Sequence, residues 1–463
     1  MSNGLVVRSS VSVSLKIGCC VFCLAACLIL QRDLNAQVTP EASTPVANQQ
    51  DAGSSQESTS AVAGGQDESI SLPPSNVPPS EAASADAGDS KVQVEPNGDP
   101  QEVPEGYQEE LDRRIKLFRE LRLELEDAIT KQREIYIRYA NREQYGPKYR
   151  RAYAAERTRT RIMMSKVYDA ALDILRIGFD KDAITYMVTM LQHRHTMGFY
   201  DRQTLEGAAR LIDGGSNLQY MFEVAARSAV VCGQFDMAKQ LYEALPDEDQ
   251  KEIDLRLEYS LEDLRKEYEV EEKIRTAEFE SDHLPRVKFK TTQGNFVAEL
   301  FIDQAPTAVS RFIQLVEEGF YDGKDFFQVI EHLLALAGDP DLIPGDPSVK
   351  FLVDEHTRPD ARSGMRGALV MAKVPRDDDS GERFYPNSAS NQFAILLTPL
   401  VDAQQDQTIF GSVIEGMEVV CRLNRVDPHE KKKKGEQEVP PDSIIEATVL
   451  RRPDTLPEPE FYQ

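Results

Sequence analysis

The chain is 463 residues long, more than one ordinary hydrophobic core accommodates, so two or three domains with joining segments are expected. Its 53 Lys and Arg against 78 Asp and Glu give a formal charge of -25, which argues against a nucleic-acid binder because phosphate contacts need clustered cations. Four of the six cysteines (Cys19, Cys20, Cys23 and Cys27) lie near the N-terminus, which leaves Cys232 and Cys421 in different expected domains and implies no disulfide framework. The histidines are scattered, and His193 with His195 cannot complete a zinc shell, so no metal and no cofactor are expected.

Residues 1–36 read as an export signal or membrane-proximal segment. Arg8 and Lys16 precede the apolar run Ile17 to Leu30, and Leu34-Asn35-Ala36 offers a small residue before Gln37 for cleavage. A membrane span needs about 20 apolar residues, so export is favoured over a permanent anchor. Leu24-Ala25-Ala26-Cys27 resembles a bacterial lipobox, which would tether the mature chain by lipidation, although Leu28-Ile29-Leu30 continue the apolar run. The expected location is the periplasm or cell envelope.

From 37 to 105 the chain is Ala, Ser, Pro, Gly, Gln and acid, with twelve Asp and Glu against Lys91 alone. Such a composition buries too little apolar surface to offset ordering entropy, so a disordered acidic linker is expected. Helical character starts near Gly106: Leu111, Ile115, Phe118, Leu125, Ile129, Tyr136 and Tyr139 recur at steps of three and four until Gly146-Pro147. The stripe predicts a long amphipathic helix packed on the next helices of the chain, with a coiled-coil pairing as the alternative.

Two glycine-centred units follow. Gly178-Phe179-Asp180-Lys181-Asp182-Ala183 and Gly233-Gln234-Phe235-Asp236-Met237-Ala238 each place an alanine five residues after a glycine, between apolar helical runs. They resemble the tetratricopeptide helix-turn-helix, in which glycine makes the turn and alanines let the helices approach. From Gly178 to Gly233 is 55 residues where the regular repeat is about 34, so the array over 106–282 is irregular. A partner-binding surface and plain helical packing are both open. Leu255 to about Glu280 reads as a charged helix with a solvated face.

Over 287–452 the pattern changes to short strands. Thr292-Gln293-Gly294-Asn295-Phe296 opens into an alternating strand, Ala305-Pro306 starts a helix, and Gly319-Phe320-Tyr321-Asp322-Gly323 follows. Gly338-Asp339-Pro340, Arg366-Gly367-Ala368-Leu369-Val370-Met371-Ala372, Asn391-Gln392-Phe393 and Phe410-Gly411-Ser412-Val413-Ile414-Glu415-Gly416-Met417 come next. In that order and spacing the pieces resemble a cyclophilin, the β-barrel family that isomerises Xaa-Pro peptide bonds. The resemblance implies a closed cyclophilin-like β-barrel with flanking helices, and with the helical units before it the reading is a multidomain α plus all-β protein: a helical tetratricopeptide-like module, then the barrel, then a tail at 453–463.

Rotation about an Xaa-Pro bond breaks amide resonance against a barrier of about 18–20 kcal/mol. A catalyst must seat the proline, fix the flanking backbone and stabilise the twisted amide. In cyclophilins an arginine supplies the last term; the resemblance places it at Gln328, after Phe326-Phe327. It places the proline pocket at Leu333 and Leu334, a family glutamine at Leu336, the groove-lining strand at Met371-Ala372, and the substrate-gripping glutamine at Gln392. Phe326, Phe393, Ala394, Leu400 and Gln407 complete the implied groove, with Met371 and Phe393 also readable as plain core. Gln328 and Gln392 are thus the candidate catalytic pair, and Arg358 or Arg376 the candidate substitute cations. The loop from Arg376 to Pro386 reads as a groove-side enlargement, and Lys431 to Lys434 as a solvated basic run.

The implied function is a weak peptidyl-prolyl cis-trans isomerase acting on proline-containing or unfolded exported proteins. The alternative is a non-catalytic cyclophilin-like scaffold that binds peptides and recruits a protein partner through its helices.

Overall fold

The computed structural model describes residues 106–141, 146–246, 250–340, 349–376, 382–401, 403–427, 439–453 and 455–462. The expected export signal, the acidic linker, the Asp377-Asp378-Asp379 run and Lys431 to Lys434 lie outside the described residues.

The expected first helix forms as α1 (Tyr107–Ala140). Leu111, Phe118, Leu125 and Ala128 are buried, and the stripe packs against α2 (Pro147–Ile177), which Pro147 opens at its first turn where a missing N–H costs nothing. Tyr136, near the end of the stripe, is exposed.

Gly178 ends α2 and leads to α3 (Lys181–Met197), capped by Asp180, whose carboxylate accepts from the Asp182 and Ala183 N–H groups. A side chain at Gly178 would lie 2.9 Å from the Tyr107 hydroxyl, so a close approach requires the glycine. The second unit joins α5 (Gln219–Val231) to α6 (Phe235–Glu243) through Gly233, at φ 71°. Between the units lies α4 (Arg202–Asp213), a helix that accounts for the irregular spacing. Ala171, Ala183, Ala225, Ala226 and Ala238 are fully buried where these helices meet.

The charged stretch after Leu255 is not one helix with a solvated face. It breaks at Ser260 into α7 (Glu252–Tyr259) and α8 (Leu261–Ser281). Glu271 of α8 is buried because Arg362, fully enclosed under the sheet segment, grips it with two hydrogen bonds of 2.7 and 3.0 Å and reaches Glu278 at 2.6 Å.

Eight antiparallel strands follow: β1 (Arg286–Thr291), β2 (Gly294–Leu300), β3 (Gln328–Ile330), β4 (Leu334–Ala337), β5 (Ala368–Met371), β6 (Phe393–Leu396), β7 (Ile409–Glu415) and β8 (Ile444–Arg451). Their order is β3-β4-β6-β5-β7-β2-β1-β8. The expected closed barrel is therefore corrected to a curled half-barrel with β3 and β8 at its edges. Among the described residues no ladder joins the edges; an isolated bridge, Asp325 to Ser443, spans them. The outer edge of β3 is taken instead by Val426, which exchanges two backbone bonds with Val329, while the chain before β3 meets the start of β8 through backbone bonds that join Gly323, Lys324 and Phe326 to Ile444 and Asp442.

The helix α9 (Pro306–Glu317) plugs the concave side of the sheet. Its Phe312 meets Phe289, Tyr321, Phe393 and Phe410 at ring separations of 5.0–6.2 Å. Two short helices, α10 (Ala403–Asp406) and α11 (Met417–Cys421), flank β7. The tail returns to the sheet segment: Tyr462 N–H donates to Phe351 O at 2.9 Å and Val353 N–H to Glu460 O at 3.1 Å.

Candidate functional site

The strand register assembles the site. Gln328 faces Leu336, Leu336 faces Ala394, and Ala394 faces Val370, so one row runs across β3, β4, β6 and β5. Directly opposed residues share a face of the sheet. Leu336, Ala372 and Ala394 form a small apolar cluster, with Phe327 and Leu334 packed against it. Phe326 and Val329 both join the inner core, which leaves Phe327 and Gln328 between them free to serve the other face.

Gln328 is fully buried, and among the described residues neither its Nε2 nor its Oε1 has a hydrogen-bond partner. An amide in that state costs about 1–3 kcal/mol relative to a satisfied or apolar group. Arg358 and Arg376 are engaged elsewhere: Arg358 with Asp360 and the Asp303 carbonyl, Arg376 with Glu382 and over the Tyr385 ring.

Gln392 lies half-buried beside the row. Its side-chain amide donates to the Asp339 carbonyl of the same chain, and its own carbonyl accepts from the Ala372 N–H at 3.0 Å. This zips residues 338–339 to 391–392, which Gly338 makes feasible. At φ 121° it would place a side chain 2.6 Å from Asn391 O and 2.8 Å from Gln392 Cα. Substituting Gly338→Ala is expected to lower stability by about 2 kcal/mol, through left-handed strain plus the clash, read as a fall in the urea midpoint at constant slope.

Other expected groove residues divide by face. Phe326 is corrected from groove to core, and Met371 and Phe393 take their reading as core: all three lie in the inner hydrophobic cluster. Strand alternation sends Met371 and Phe393 opposite to Ala372 and Ala394, and Phe326 lies in the segment before β3, where its N–H is held by the Asp442 carbonyl. Leu333 and Leu334 are half-buried at the start of β4, and Leu400 packs with Leu334, Leu396 and Val370 in an adjoining cluster. Gln407 follows α10 and joins neither cluster among the described residues.

Phe327 and Lys373 escaped the sequence reading. Lys373 directly follows Ala372, is 5% exposed, and donates to Asp354 at 2.6 Å. Burial alone would raise the Asp354 carboxyl, but bonds from His356, the Asn387 N–H and Lys373 hold it below its ordinary value. Nothing in the local pattern marks this pair, since its members are 19 residues apart in unrelated segments.

Residues 286–449 match the family model for the cyclophilin type peptidyl-prolyl cis-trans isomerase/CLD. A peptidyl-prolyl cis-trans isomerase of Helicobacter pylori is 30% identical over 160 residues, 33% of this chain and 91% of the relative. The peptidyl-prolyl cis-trans isomerase-like 1 protein of Neurospora crassa is 31% identical over 172 residues, 36% of this chain and 96% of the relative. The crystal structure of a Cryptosporidium parvum cyclophilin type isomerase covers 37% of this chain and 99% of its own, at 24% identity and a TM-score of 0.29. With a relative at 30% identity matched over nearly its whole length, and a row of facing residues at β3, β4 and β6 where the motifs lie, the chain belongs to the cyclophilin-type peptidyl-prolyl cis-trans isomerase family.

Proposed function

We propose that this protein is a weak peptidyl-prolyl cis-trans isomerase whose clients are proline-containing segments of exported proteins. The groove is the row Gln328, Leu336 and Ala394 with Leu333, Leu334, Ala372 and Leu400 around it. Gln392 is the second polar residue of the site and braces its edge. The observation that carries this reading is the buried Gln328 amide, which has no partner among the described residues and lies beside apolar side chains on the face opposite the core. A polar group retained at such a cost is explained by a use, and the use that the family offers is a hydrogen bond to the twisted Xaa-Pro amide.

The proposed weakness follows from chemistry. Gln328 donates a neutral hydrogen bond where the family pattern carries a guanidinium, and charge-assisted bonds are roughly twice as strong. The helices preceding the sheet are proposed as a tetratricopeptide-like module that engages a protein partner, supported by the paired helices that meet at Gly178 and Gly233. An envelope location is supported by the charged and apolar order of residues 8–30.

The test is NMR exchange of a proline-containing peptide on the full chain and on its Gln328→Leu variant. The variant is expected to be more stable by about 1–2 kcal/mol, having lost an unsatisfied amide, and to catalyse exchange roughly tenfold or more slowly. Equal exchange rates in the two proteins would sink the assignment of Gln328. The complete burial of Gln328 favours one second reading, a peptide-binding scaffold; peptide binding without any exchange in the native chain would establish it instead.

A further inference from the structure

The turn between β3 and β4 carries Glu331, His332 and Leu333. It connects Gln328 to Leu336, so its geometry sets how the candidate groove is aligned. His332 adopts φ 57°, a left-handed conformation that is uncommon for a non-glycine residue and persists only where surroundings impose it.

The surroundings come from the helical segment, more than 70 residues away in sequence. Tyr200, in the link between α3 and α4, is 2% exposed, and its hydroxyl lies 3.1 Å from His332 Nδ1 with the rings 5.9 Å apart. That hydroxyl also accepts from Arg227 of α5 at 3.0 Å. Arg227 is in turn fixed by two bonds of 2.6 and 2.7 Å to Asp254 of α7, both residues being fully buried. From the same α7, Arg256 donates to the His332 carbonyl at 3.1 Å and to Thr398 Oγ1 at 2.8 Å, while Thr398 donates to the same carbonyl at 2.7 Å. Arg366, just before β5, closes the arrangement with a 2.8 Å bond to the Gly198 carbonyl beside Tyr200. The His332 ring and carbonyl are therefore both gripped by the helices.

We propose that the helical segment clamps the β3–β4 hairpin, with Tyr200 and Arg256 acting as positioning residues that align Gln328 and Leu336 for work on a peptide. The inference rests on the proposed function, because alignment matters only if this face handles a peptide. It assigns the helices a duty toward the groove itself, whatever else they bind. A displacement of about 1 Å at Gln328 is enough to matter for catalysis that depends on placement.

The test uses the full chain with Tyr200→Phe, which keeps the ring and drops the hydroxyl, and Tyr200→Ala, which removes both. Amide hydrogen exchange over residues 328–337 is followed against residues 286–300 on the opposite side of the sheet, alongside peptide isomerisation and the urea midpoint. The expected result is that Tyr200→Phe speeds exchange over 328–337 by about fivefold, and Tyr200→Ala by more, with 286–300 unchanged. Isomerisation by Tyr200→Phe is expected to fall in kcat at nearly constant KM, while the urea midpoint falls modestly because the buried Arg227 loses an acceptor. Unchanged protection over 328–337 in both variants overturns the clamp. Equal loss of protection in both regions also overturns it, since that is general stabilisation. Full isomerisation despite a loosened hairpin overturns the positioning role. If the native chain shows no isomerisation, the proposed function fails separately, and the hydrogen-exchange arm with NMR-detected peptide binding still decides the clamp. Tyr200→Phe is isosteric, so the comparison survives even if Tyr200→Ala fails to fold.

Discussion

Replacing Asp254 by alanine is expected to destabilise the protein by about 3–5 kcal/mol, the range typical when one partner of a buried ion pair is removed and the other is left charged. Arg227 and Asp254 are both fully buried and joined by two hydrogen bonds. Once the carboxylate is gone, the guanidinium keeps the 3.0 Å contact to the Tyr200 hydroxyl and a long 3.4 Å contact to Glu223. Glu223 is already committed, accepting from Lys251 and paired with His195, each at 2.6 Å. Equilibrium urea unfolding of Asp254→Ala should show a much lower midpoint at similar slope. The double variant Arg227→Met with Asp254→Leu should recover most of the loss, because a well-packed apolar pair avoids the desolvation penalty of two ions. Equal losses in single and double variants would show that packing volume, and not the unpaired charge, sets the cost.

Acidification from pH 7 to pH 5 is expected to destabilise the protein by about 2 kcal/mol through His332 alone. Burial pulls this imidazole down to about 3 from an ordinary 6.5, with Arg227, Arg425, His195 and Lys251 adding repulsion to the protonated form. The folded state therefore resists protonation while the unfolded chain accepts it. The contribution is fully present above pH 6.5, declines as pH falls, and is exhausted near pH 3; each unit is worth about 1.4 kcal/mol, or about 4–5 kcal/mol over the whole window. The neutral ring is the form that can receive the Tyr200 O–H at Nδ1, so protonation would also oppose the clamp. Urea midpoints of the native chain and His332→Asn at pH 7 and pH 5 check this. Asparagine tolerates the left-handed backbone and does not titrate, so the variant should lose distinctly less on acidification. Parallel declines would assign the acid sensitivity to other groups.

Much of the architecture was legible in advance because its signals are local. The stripe of Leu111, Phe118 and Leu125 sits on one face of one helix, and each glycine-centred unit needed only its own flanking runs. The glycines at 338, 367 and 416 mark turns through their left-handed backbones, at φ 121°, 83° and 80°. The candidate groove was legible only as a set of positions. Met371 and Phe393 were readable as groove or as core until the pairing register sent them to the core, and Phe326 joins them there from the segment before β3. Glu271 looked like one more solvated charge on α8, because its partner Arg362 is 91 residues away.

From the sequence by itself came the first long helix, the two glycine-centred helical units, the change to short strands, the resemblance to the family, and the neutral residue at position 328. These follow from periodicity, turn chemistry and spaced motifs, all of which act within a few residues. Tertiary structure alone decided that the sheet stays open at its edges, that Gln328 is enclosed without a partner among the described residues, and that residues of the helices bond to the hairpin next to it. Those outcomes depend on groups brought together across long stretches of chain, such as Tyr200 and His332 at a separation of 132 residues. Burial, desolvation and hydrogen-bond satisfaction are properties of that assembled neighbourhood, and no local pattern encodes them.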